Sequence, residues 1–346
     1  MFSTEEQMKN NKHTYIIAEV GPNHNGDLSI AKSMIHDLAK VGVDAVKFQI
    51  SKLENAYSRD AFKPTYQKEN DKETSPLEMS KKYQLPFEDH IELHHECKKH
   101  KVDYLCTAFE MESLSFLTEN VEMPFYKIPS GEILTLDMLE HISKQNQPVL
   151  LSTGMATYDE IEKALSILNK SGKKDVIVLH CISNYPTPAK DVHLNVMLEI
   201  KSRYNTPVGF SDHTLGNDAA IAAVALGATV IEKHVTFDTN AEGPDHKASA
   251  TIDQFKKLVS SIRKVDIMMG SKKKVFSDDE QEIKKAVRKS IVTNKNLIKG
   301  HKITRDDVVF KRPGFGFNPT DVDKIIGKTL TQDIEEGRVI LGQHLE

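Results

Sequence analysis

The stretch VGFSDHTLG, residues 208–216, begins as a buried strand and ends in polar chemistry. Its first three residues are apolar, whereas Ser211, Asp212 and His213 place a hydroxyl, a carboxylate and an imidazole directly after them. One polar strand end usually marks the start of a turn. What this strand end indicates about the fold and the function depends on whether other strands of the chain end in the same way.

Eight strands of this design alternate with helical patterns. They are predicted at residues 14–21, 45–51, 103–109, 125–131, 148–155, 176–183, 207–214 and 229–237. One of the intervening helices begins with the capping-box pattern Thr157-x-x-Glu160. Near-continuous apolar strands joined by helices indicate a parallel sheet that is covered on both faces. Eight such units predict a (β/α)₈ TIM barrel of the α/β class. A doubly wound open sheet is the alternative, although its GxGxxG fingerprint is missing after the first strand.

The pattern changes towards the end of the chain. The barrel is predicted to occupy residues 13–268, and the charged segment 269–286 is interpreted as a partly helical linker. Residues 287–346 contain short β-like runs broken by Asn, Gly and Pro. They predict a separate small domain that is rich in turns.

Composition excludes several classes of partner. The 346 residues carry a net charge of only −4, which gives no general attraction to nucleic acid or to an anionic membrane. The first 13 residues are polar and contain no apolar signal region. The three cysteines form no CxxC pair, and an odd count of this kind suggests reduced thiols. We therefore expect a cytoplasmic protein without a membrane or nucleic-acid partner.

In a (β/α)₈ barrel the carboxyl ends of the strands form the active-site face. Two lysines and five hydroxyls are predicted to meet there, and such groups suit phosphate and carboxylate oxygens. The set comprises Lys47, Thr107, Lys127, Ser130, Ser152, Ser183 and Ser211. Together these residue types predict an anion-binding site.

A pair of histidines is predicted beside the anion site. His213 lies on the seventh predicted strand and His234 on the eighth, so that neighbouring strands bring the two imidazoles together. Two imidazoles with carboxylates and waters suit a divalent cation that keeps open coordination positions. The alternative is a pair of buried or capping histidines without a metal.

Several motifs in this order resemble a known family. They are IIAEVGPNHNGD (16–27), DAVKFQ (44–49), YKIPSGE (126–132), LLSTGMA (150–156), FSDHTLG (210–216), AVALGATVIEKH (223–234) and GPDHKAS (243–249). The sequence resembles bacterial sialic acid synthases, which make N-acetylneuraminate and related nonulosonic acids. The resemblance covers residues 13 to 346, and KRPGFG at 311–316 is similar to that family's C-terminal antifreeze-like (SAF) domain.

The resemblance implies a fold, a reaction and an assembly. The fold is a (β/α)₈ barrel followed by the small β-rich antifreeze-like domain. The reaction is the condensation of phosphoenolpyruvate with an N-acyl mannosamine-type sugar, which releases phosphate by C–O cleavage and makes the protein a transferase. The implied cofactor is Mn²⁺ or Mg²⁺. The implied partner is a second copy of the chain, in a domain-swapped homodimer whose small domains cover each other's barrel mouths.

The resemblance also implies roles for individual residues. His213 and His234 match the metal ligands, and the seven residues of the anion site match the positions that bind phosphoenolpyruvate. Glu19 and Glu132 are the candidates for orienting or deprotonating the water that adds during catalysis. The positions that bind the sugar in the family are matched by Gln49, Tyr185, Asp245 and Arg312. In the swapped dimer, Arg312 of one subunit would contact the sugar bound to the other subunit. Segment 52–75 departs from some relatives, so no sugar contact is carried over to it.

The sugar and the reaction class each leave alternatives. N-acetylmannosamine would give N-acetylneuraminate, whereas 2,4-diacetamido-2,4,6-trideoxymannose would make the chain a legionaminate synthase. A metal-dependent pyruvate aldolase would need no phosphate site, and a Schiff-base aldolase would use Lys127 as its nucleophile. A sugar-binding protein without catalytic activity is the third possibility.

Overall fold

Eight parallel strands form the centre of the larger, N-terminal part of the chain. The computed structural model describes residues 13–172 and 175–346. The strands are β1 (Tyr15–Glu19), β2 (Ala45–Ile50), β3 (Asp103–Ala108), β4 (Tyr126–Ile128), β5 (Val149–Ser152), β6 (Val176–Cys181), β7 (Val208–Asp212) and β8 (Val230–Thr236). Each falls inside one of the eight predicted segments, so the strand predictions are confirmed.

The strands close into a barrel. β1 pairs in parallel with β2 on one side and with β8 on the other, which places Glu19 in register with both Lys47 and His234. The hydrogen-bonded path runs β3-β2-β1-β8-β7-β6-β5-β4, and β3 and β4 at its two ends pack side by side. An open doubly wound sheet cannot bring its first and last strands together, so the predicted TIM barrel is confirmed and the alternative is wrong.

Amphipathic helices cover the outside of the barrel. Helix α1 (Leu28–Val41) buries Ala31, Met34, Ile35 and Leu38, whose spacing of three and four residues forms one apolar face. The other long helices are α5 (Phe87–His100), α6 (Met111–Asn120), α7 (Leu136–Ser143), α8 (Tyr158–Leu168), α9 (Asn195–Tyr204), α10 (Asp218–Ala225) and α11 (Ile252–Met269). The capping box predicted at Thr157 and Glu160 begins α8, where such a cap contributes about 1 kcal/mol.

The connection between β2 and α5 is more structured than the sequence predicts. It contains three short helices, α2 (Leu53–Ala56), α3 (Thr65–Asn70) and α4 (Pro76–Tyr83). The Ser75 side chain accepts a hydrogen bond from the backbone of Glu78, and a proline occupies the first turn of α4. Helix α3 buries none of its residues, so no apolar periodicity marks it in the sequence.

The chain divides into two compact units after Gly270. The second unit, Ser271–Glu346, contains the exposed helix α12 (Asp278–Val287) and the antiparallel pair β10 (Ser290–Thr293) and β11 (Val308–Lys311). It has its own small core, formed by Ile291, Leu297, Ile303, Val308, Ile325, Leu330, Ile334 and Ile340. In the first unit a short strand, β9 (Ala250–Thr251), also pairs with β8.

Short 3₁₀ turns occur in both units. They span Ser130–Glu132, Ala189–Asp191, His246–Ala248, Arg305–Asp307, Pro319–Lys324 and Gly342–His344. Cys97, Cys106 and Cys181 are buried free thiols. Among the residues that the structure describes, no helix is both long enough and apolar enough to cross a membrane.

Candidate active site

Lys47 lies at the centre of a buried polar cluster inside the barrel. Its position on β2 points the ammonium group towards β1 and β3, where it lies 2.8 Å from Glu19 Oε2 and donates a 3.1 Å hydrogen bond to Thr107 Oγ1. Gln49 lies two residues further along the same face and donates to Glu19 Oε1 at 2.7 Å. The catalytic and binding residues predicted on β1, β2 and β3 are therefore brought together.

Glu232 connects this cluster to Lys127. Its carboxylate oxygens lie 3.3 Å from Lys127 Nζ and 3.6 Å from Lys47 Nζ, and Ser211 Oγ donates to it at 3.0 Å. The sequence places Glu232 at a strand end, but no role was assigned to it. It acts as a counter-ion, because Glu19 and Glu232 together balance the charges of the two lysines.

The pKa values of the cluster show which charges the site retains. Burial alone would raise the pKa of Glu232, but Lys127 and Lys47 outweigh it and lower the pKa to about 2. Burial lowers the pKa of Lys127, and Glu232 opposes that shift. Burial would also lower the pKa of Lys47, yet the carboxylates of Glu19 and Glu232 raise it. For Glu19, burial dominates and raises the pKa.

Hydroxyl groups of the predicted anion site lie around Gly154. The backbone N–H of Gly154 donates to Ser130 Oγ at 2.9 Å, and a Cβ at Gly154 would collide with the hydroxyl oxygens of both Ser130 and Ser183. Within residues 13–172 and 175–346, nothing hydrogen-bonds to the buried Oγ of Ser152. A buried hydroxyl without a partner costs free energy unless a ligand completes it. These hydroxyls are therefore suited to bind an oxyanion.

His213 and His234 lie side by side at the carboxyl ends of β7 and β8. Their ring centroids are 5.5 Å apart, and His213 Nδ1 donates to the Ile182 carbonyl at 2.7 Å, which leaves its Nε2 lone pair free. Burial and the neighbouring His213 hold the pKa of His234 well below its usual range, so that this imidazole is neutral. Asp245 Oδ2 lies 3.6 Å from His234 Nδ1.

The two histidines fit part of a cation site. In the described part of the chain, nothing hydrogen-bonds to the buried Nδ1 of His234. No group of three or more His, Cys, Asp or Glu side chains among the described residues is arranged to hold a metal ion. The neutral imidazole of His234 is a good ligand for Mn²⁺. Burial would lower the pKa of His213, but Cys181 and the Ile182 carbonyl raise it, so this imidazole would release a proton on binding a cation. The protein would thus supply two ligands, and waters or substrate would supply the others.

A cavity of about 330 Å³ opens beside the histidines. Gln49, Glu132, Tyr185, His234 and Asp245, all predicted site residues, line it. Burial raises the pKa of Glu132, and burial followed by the nearby Glu19 raises that of Asp245 to about 7. The Asp245 carboxyl can therefore exchange a proton near neutral pH. A volume of this size suits a monosaccharide.

The outer wall of the cavity comes from the short helices between β2 and α5. Leu53, Tyr57, Tyr66, Gln67, Met79, Ser80 and Gln84 line it. The Tyr66 ring stacks on Tyr185 with centroids 5.1 Å apart, and Tyr185 lies 4.1 Å from the His213 ring. The sequence reasoning missed these wall residues, because helices of four to eight residues have too few turns to show an apolar period.

Arg312 is separated from the other candidate residues along the chain. It follows β11 in the second unit and is exposed there. Its predicted role in sugar binding stays a prediction. The other fourteen candidates lie in the first unit, on the strands of the barrel or on the loops that follow them.

Family comparisons agree with both parts of the chain. Residues 34–274 match the NeuB family, and residues 288–346 match the SAF domain. The second match confirms the predicted antifreeze-like domain after the barrel. The two matches together account for most of the sequence.

Several proteins with similar sequences are named as synthases of legionaminic, pseudaminic or sialic acid. An N,N'-diacetyllegionaminic acid synthase of Campylobacter jejuni is 42% identical, over 95% of this chain and 99% of that protein. A protein with the same name from Legionella pneumophila is 38% identical, over 96% and 94%. The crystal structure of a sialic acid synthetase from Leptospira borgpetersenii superposes with a TM-score of 0.71 at 33% identity, covering 79% of this chain and 90% of that one.

Proposed function

The chain belongs to the NeuB family, and from that premise we propose that it condenses phosphoenolpyruvate with an N-acyl mannosamine-type sugar to form a nonulosonic acid and phosphate. The observation that carries the proposal is the pair of buried lysines, Lys47 and Lys127, beside the cavity that His234, Glu132 and Asp245 line. One part of the site suits an anionic substrate and the adjoining part suits a sugar. This combination is what the reaction requires.

The phosphate and carboxylate of phosphoenolpyruvate would occupy the anion site. Lys47 and Lys127 supply positive charge, and the hydroxyls of Ser130, Ser152, Ser183, Ser211 and Thr107 donate hydrogen bonds. Because all seven residues lie on strands or immediately after them, the site is preorganised before the substrate arrives. The incoming anion would compete with Glu232 for the two lysines.

The sugar would lie in the cavity with its open-chain aldehyde facing the alkene carbon of phosphoenolpyruvate. Bond formation between these carbons breaks the π bond of the aldehyde, whose oxygen takes the electron pair and then a proton to become a hydroxyl. It leaves positive charge on the former alkene carbon that carries the phosphate oxygen, and water adds there. Glu19 or Glu132 accepts a proton from that water, because burial raises the pKa of each carboxyl above its usual range and makes it a stronger base. The C–O bond then breaks and phosphate departs with the bridging oxygen, held by the lysines.

A divalent cation, Mn²⁺ or Mg²⁺, is proposed as the cofactor. His213 and His234 would hold it, since both lie beside the sugar cavity and His234 is neutral. When bound, the cation would polarise the sugar's carbonyl oxygen as a Lewis acid. Asp245, 3.6 Å from His234 Nδ1, would orient that imidazole or a bound water.

Two candidate sugars remain, and one is favoured. N-acetylmannosamine is the sugar that the sequence predicts, and the similarity to the Leptospira sialic acid synthetase supports it. The two legionaminic acid synthases at 42% and 38% identity support 2,4-diacetamido-2,4,6-trideoxymannose. Leu53, Ala56 and Met79 line the cavity, and these apolar side chains suit the methyl groups of a second acetamido group and a deoxygenated C6. We therefore favour the diacetamido sugar.

The assembly and compartment are also proposals. A swapped homodimer would bring Arg312 of one subunit to the sugar in the other, where its planar guanidinium pairs with the N-acyl carbonyl. The three free cysteines support the cytoplasm as the compartment, because reduced thiols persist there.

The experiment is a phosphate-release assay. Phosphoenolpyruvate and Mn²⁺ are incubated with the protein and either sugar, with EDTA as the control. Faster release with the diacetamido sugar supports a legionaminate synthase, and faster release with N-acetylmannosamine makes the protein an N-acetylneuraminate synthase. Release with neither sugar contradicts the proposal. Phosphoenolpyruvate with ¹⁸O at the bridging oxygen should give labelled phosphate; unlabelled phosphate would rule out C–O cleavage.

A further inference from the structure

A buried ion pair lies within the connection between β2 and α5, outside the catalytic cluster. Lys63 Nζ lies 2.7 Å from Asp71 Oδ1, with side chains that are only 2% and 0% exposed. The ammonium group also donates to the backbone carbonyls of Asp71 and Glu73 at 2.9 and 3.0 Å, and Tyr83 OH donates to Asp71 Oδ2 at 2.8 Å. Every hydrogen of the ammonium group is therefore used.

This pair closes the chain around helix α3. The helix has six residues, Thr65–Asn70, and buries none of them. So short a helix is unstable alone, because the first turn costs more conformational entropy than one hydrogen bond returns. Buried ion pairs contribute little net stability against their desolvation cost, but they fix geometry. The position of α3 therefore depends on Lys63 and Asp71, which flank it.

Helix α3 reaches the sugar cavity through Tyr66. The Tyr66 ring stacks on Tyr185 at 5.1 Å, with 27° between the ring planes. At the other end of the helix, Asn70 Nδ2 donates to the Pro244 carbonyl at 3.1 Å, next to Asp245. Tyr66 lines the cavity, whereas Lys63 and Asp71 are absent from its lining.

We propose that Lys63 and Asp71 form a buried clasp that positions Tyr66 as the outer wall of the sugar cavity. The clasp acts on sugar affinity alone, because Lys47 and Lys127 are held by β2 and β4 and not by this segment. The inference rests on the proposed function only for the identity of the ligand. Lys63 and Asp71 are positioning residues, since they act through Tyr66.

The first test compares Lys63→Met with Lys68→Met, a matched change at an exposed lysine on α3. We expect Lys63→Met to raise the KM of the sugar at least tenfold and to change the KM of phosphoenolpyruvate less than twofold. We expect Lys68→Met to change neither KM.

The second test repeats the change in a Tyr66→Ala background, where Lys63→Met should raise the KM of the sugar by less than a further twofold. Asp71→Asn keeps the side-chain shape and should act in the same direction if Lys63→Met fails to fold. An unchanged sugar KM, an equal rise of both KM values, or a full effect in the Tyr66→Ala background would each overturn the clasp.

Hydrogen exchange separates this proposal from the proposed function. Amides of residues 66–71 should exchange at least tenfold faster in Lys63→Met than in the wild type or in Lys68→Met. If the wild-type protein released no phosphate with either sugar, the proposed function would be wrong. Hydrogen exchange alone would then test the clasp. Faster exchange in Lys63→Met would support it, and exchange unchanged from the wild type would overturn it.

Discussion

Glu232 Oε1 lies 3.3 Å from Lys127 Nζ, and both side chains are almost fully buried. In this environment the carboxylate is the main influence that keeps the lysine charged, because burial alone lowers the pKa of Lys127. Glu232→Gln removes that influence, so the pKa of Lys127 falls further. The lysine then loses its proton at a lower pH than in the wild type, and the anion site loses one of its two positive charges with it.

The expected result is a shift in the pH dependence of substrate binding. In Glu232→Gln, the pH at which the KM of phosphoenolpyruvate begins to rise on the alkaline side should decrease by about one unit. The measurement is the KM between pH 7 and 10, with Glu88→Gln, an exposed carboxylate on α5, as the control. If the KM of phosphoenolpyruvate began to rise at the same pH in both variants, Glu232 would not be the group that keeps Lys127 charged.

Gly154 lies against the hydroxyls of Ser130 and Ser183, two of the groups proposed to bind the anion. Gly154→Ala would place a methyl group against both hydroxyl oxygens, so we expect the KM of phosphoenolpyruvate to rise roughly tenfold, equivalent to about 1.4 kcal/mol. Gly131→Ala is the matched control, because a Cβ at Gly131 meets nothing within 4 Å. Steady-state kinetics with a thermal melt of each variant would check this. Equal KM values in the two variants would mean that neither the phosphate nor the carboxylate of phosphoenolpyruvate binds beside Ser130 and Ser183.

The metal prediction is tested best without turnover. His213→Gln and His234→Gln should each weaken Mn²⁺ binding on the order of 100-fold, because each removes one of only two protein ligands. The unbound Mn²⁺ signal in electron paramagnetic resonance measures this directly. His95→Gln, at an exposed histidine on α5, is the control. If all three variants bound Mn²⁺ as tightly as the wild type, neither His213 nor His234 would be a ligand of the cation.

The sequence predicts the barrel well because its signal is repeated. Eight apolar strands alternate with helices, and the spacing of Lys47 and Gln49 or of Glu232 and His234 puts each pair on one face of a strand. Parallel strands in a closed barrel then bring those faces together, whatever the exact ends of the strands. For this reason the candidate residues of the first unit could be placed at the strand ends without coordinates.

Two features of the site could not be predicted in the same way. The role of Glu232 depends on distances to Lys47 and Lys127, which lie on other strands, and no local pattern encodes those distances. Tyr66 belongs to a six-residue helix without a buried face, so neither periodicity nor capping marks it. Its position is set by the Lys63–Asp71 pair, and a contact between residues eight positions apart leaves no repeat in the sequence.

Arg312 provides the sharpest test of the assembly. Arg312→Ala should raise the KM of the sugar at least tenfold and change the KM of phosphoenolpyruvate little, since a guanidinium paired with the N-acyl carbonyl contributes about 1.5–3 kcal/mol. Lys311→Ala, at the neighbouring exposed residue, is the control. Small and equal effects on both KM values would leave Arg312 as an ordinary surface residue.

Mixed dimers distinguish a partner's arginine from the chain's own. Arg312→Ala keeps an intact barrel, whereas Lys47→Ala keeps Arg312 but loses a lysine of the anion site. If the arginine acts across a swapped dimer, co-expression of the two variants builds one complete site per mixed dimer, and phosphate release exceeds that of either variant alone. If the arginine acts within its own chain, or if the protein is a monomer by light scattering, no mixed species has a complete site. Activity that stays at the sum of the two variants would then contradict both the swap and the trans role of Arg312.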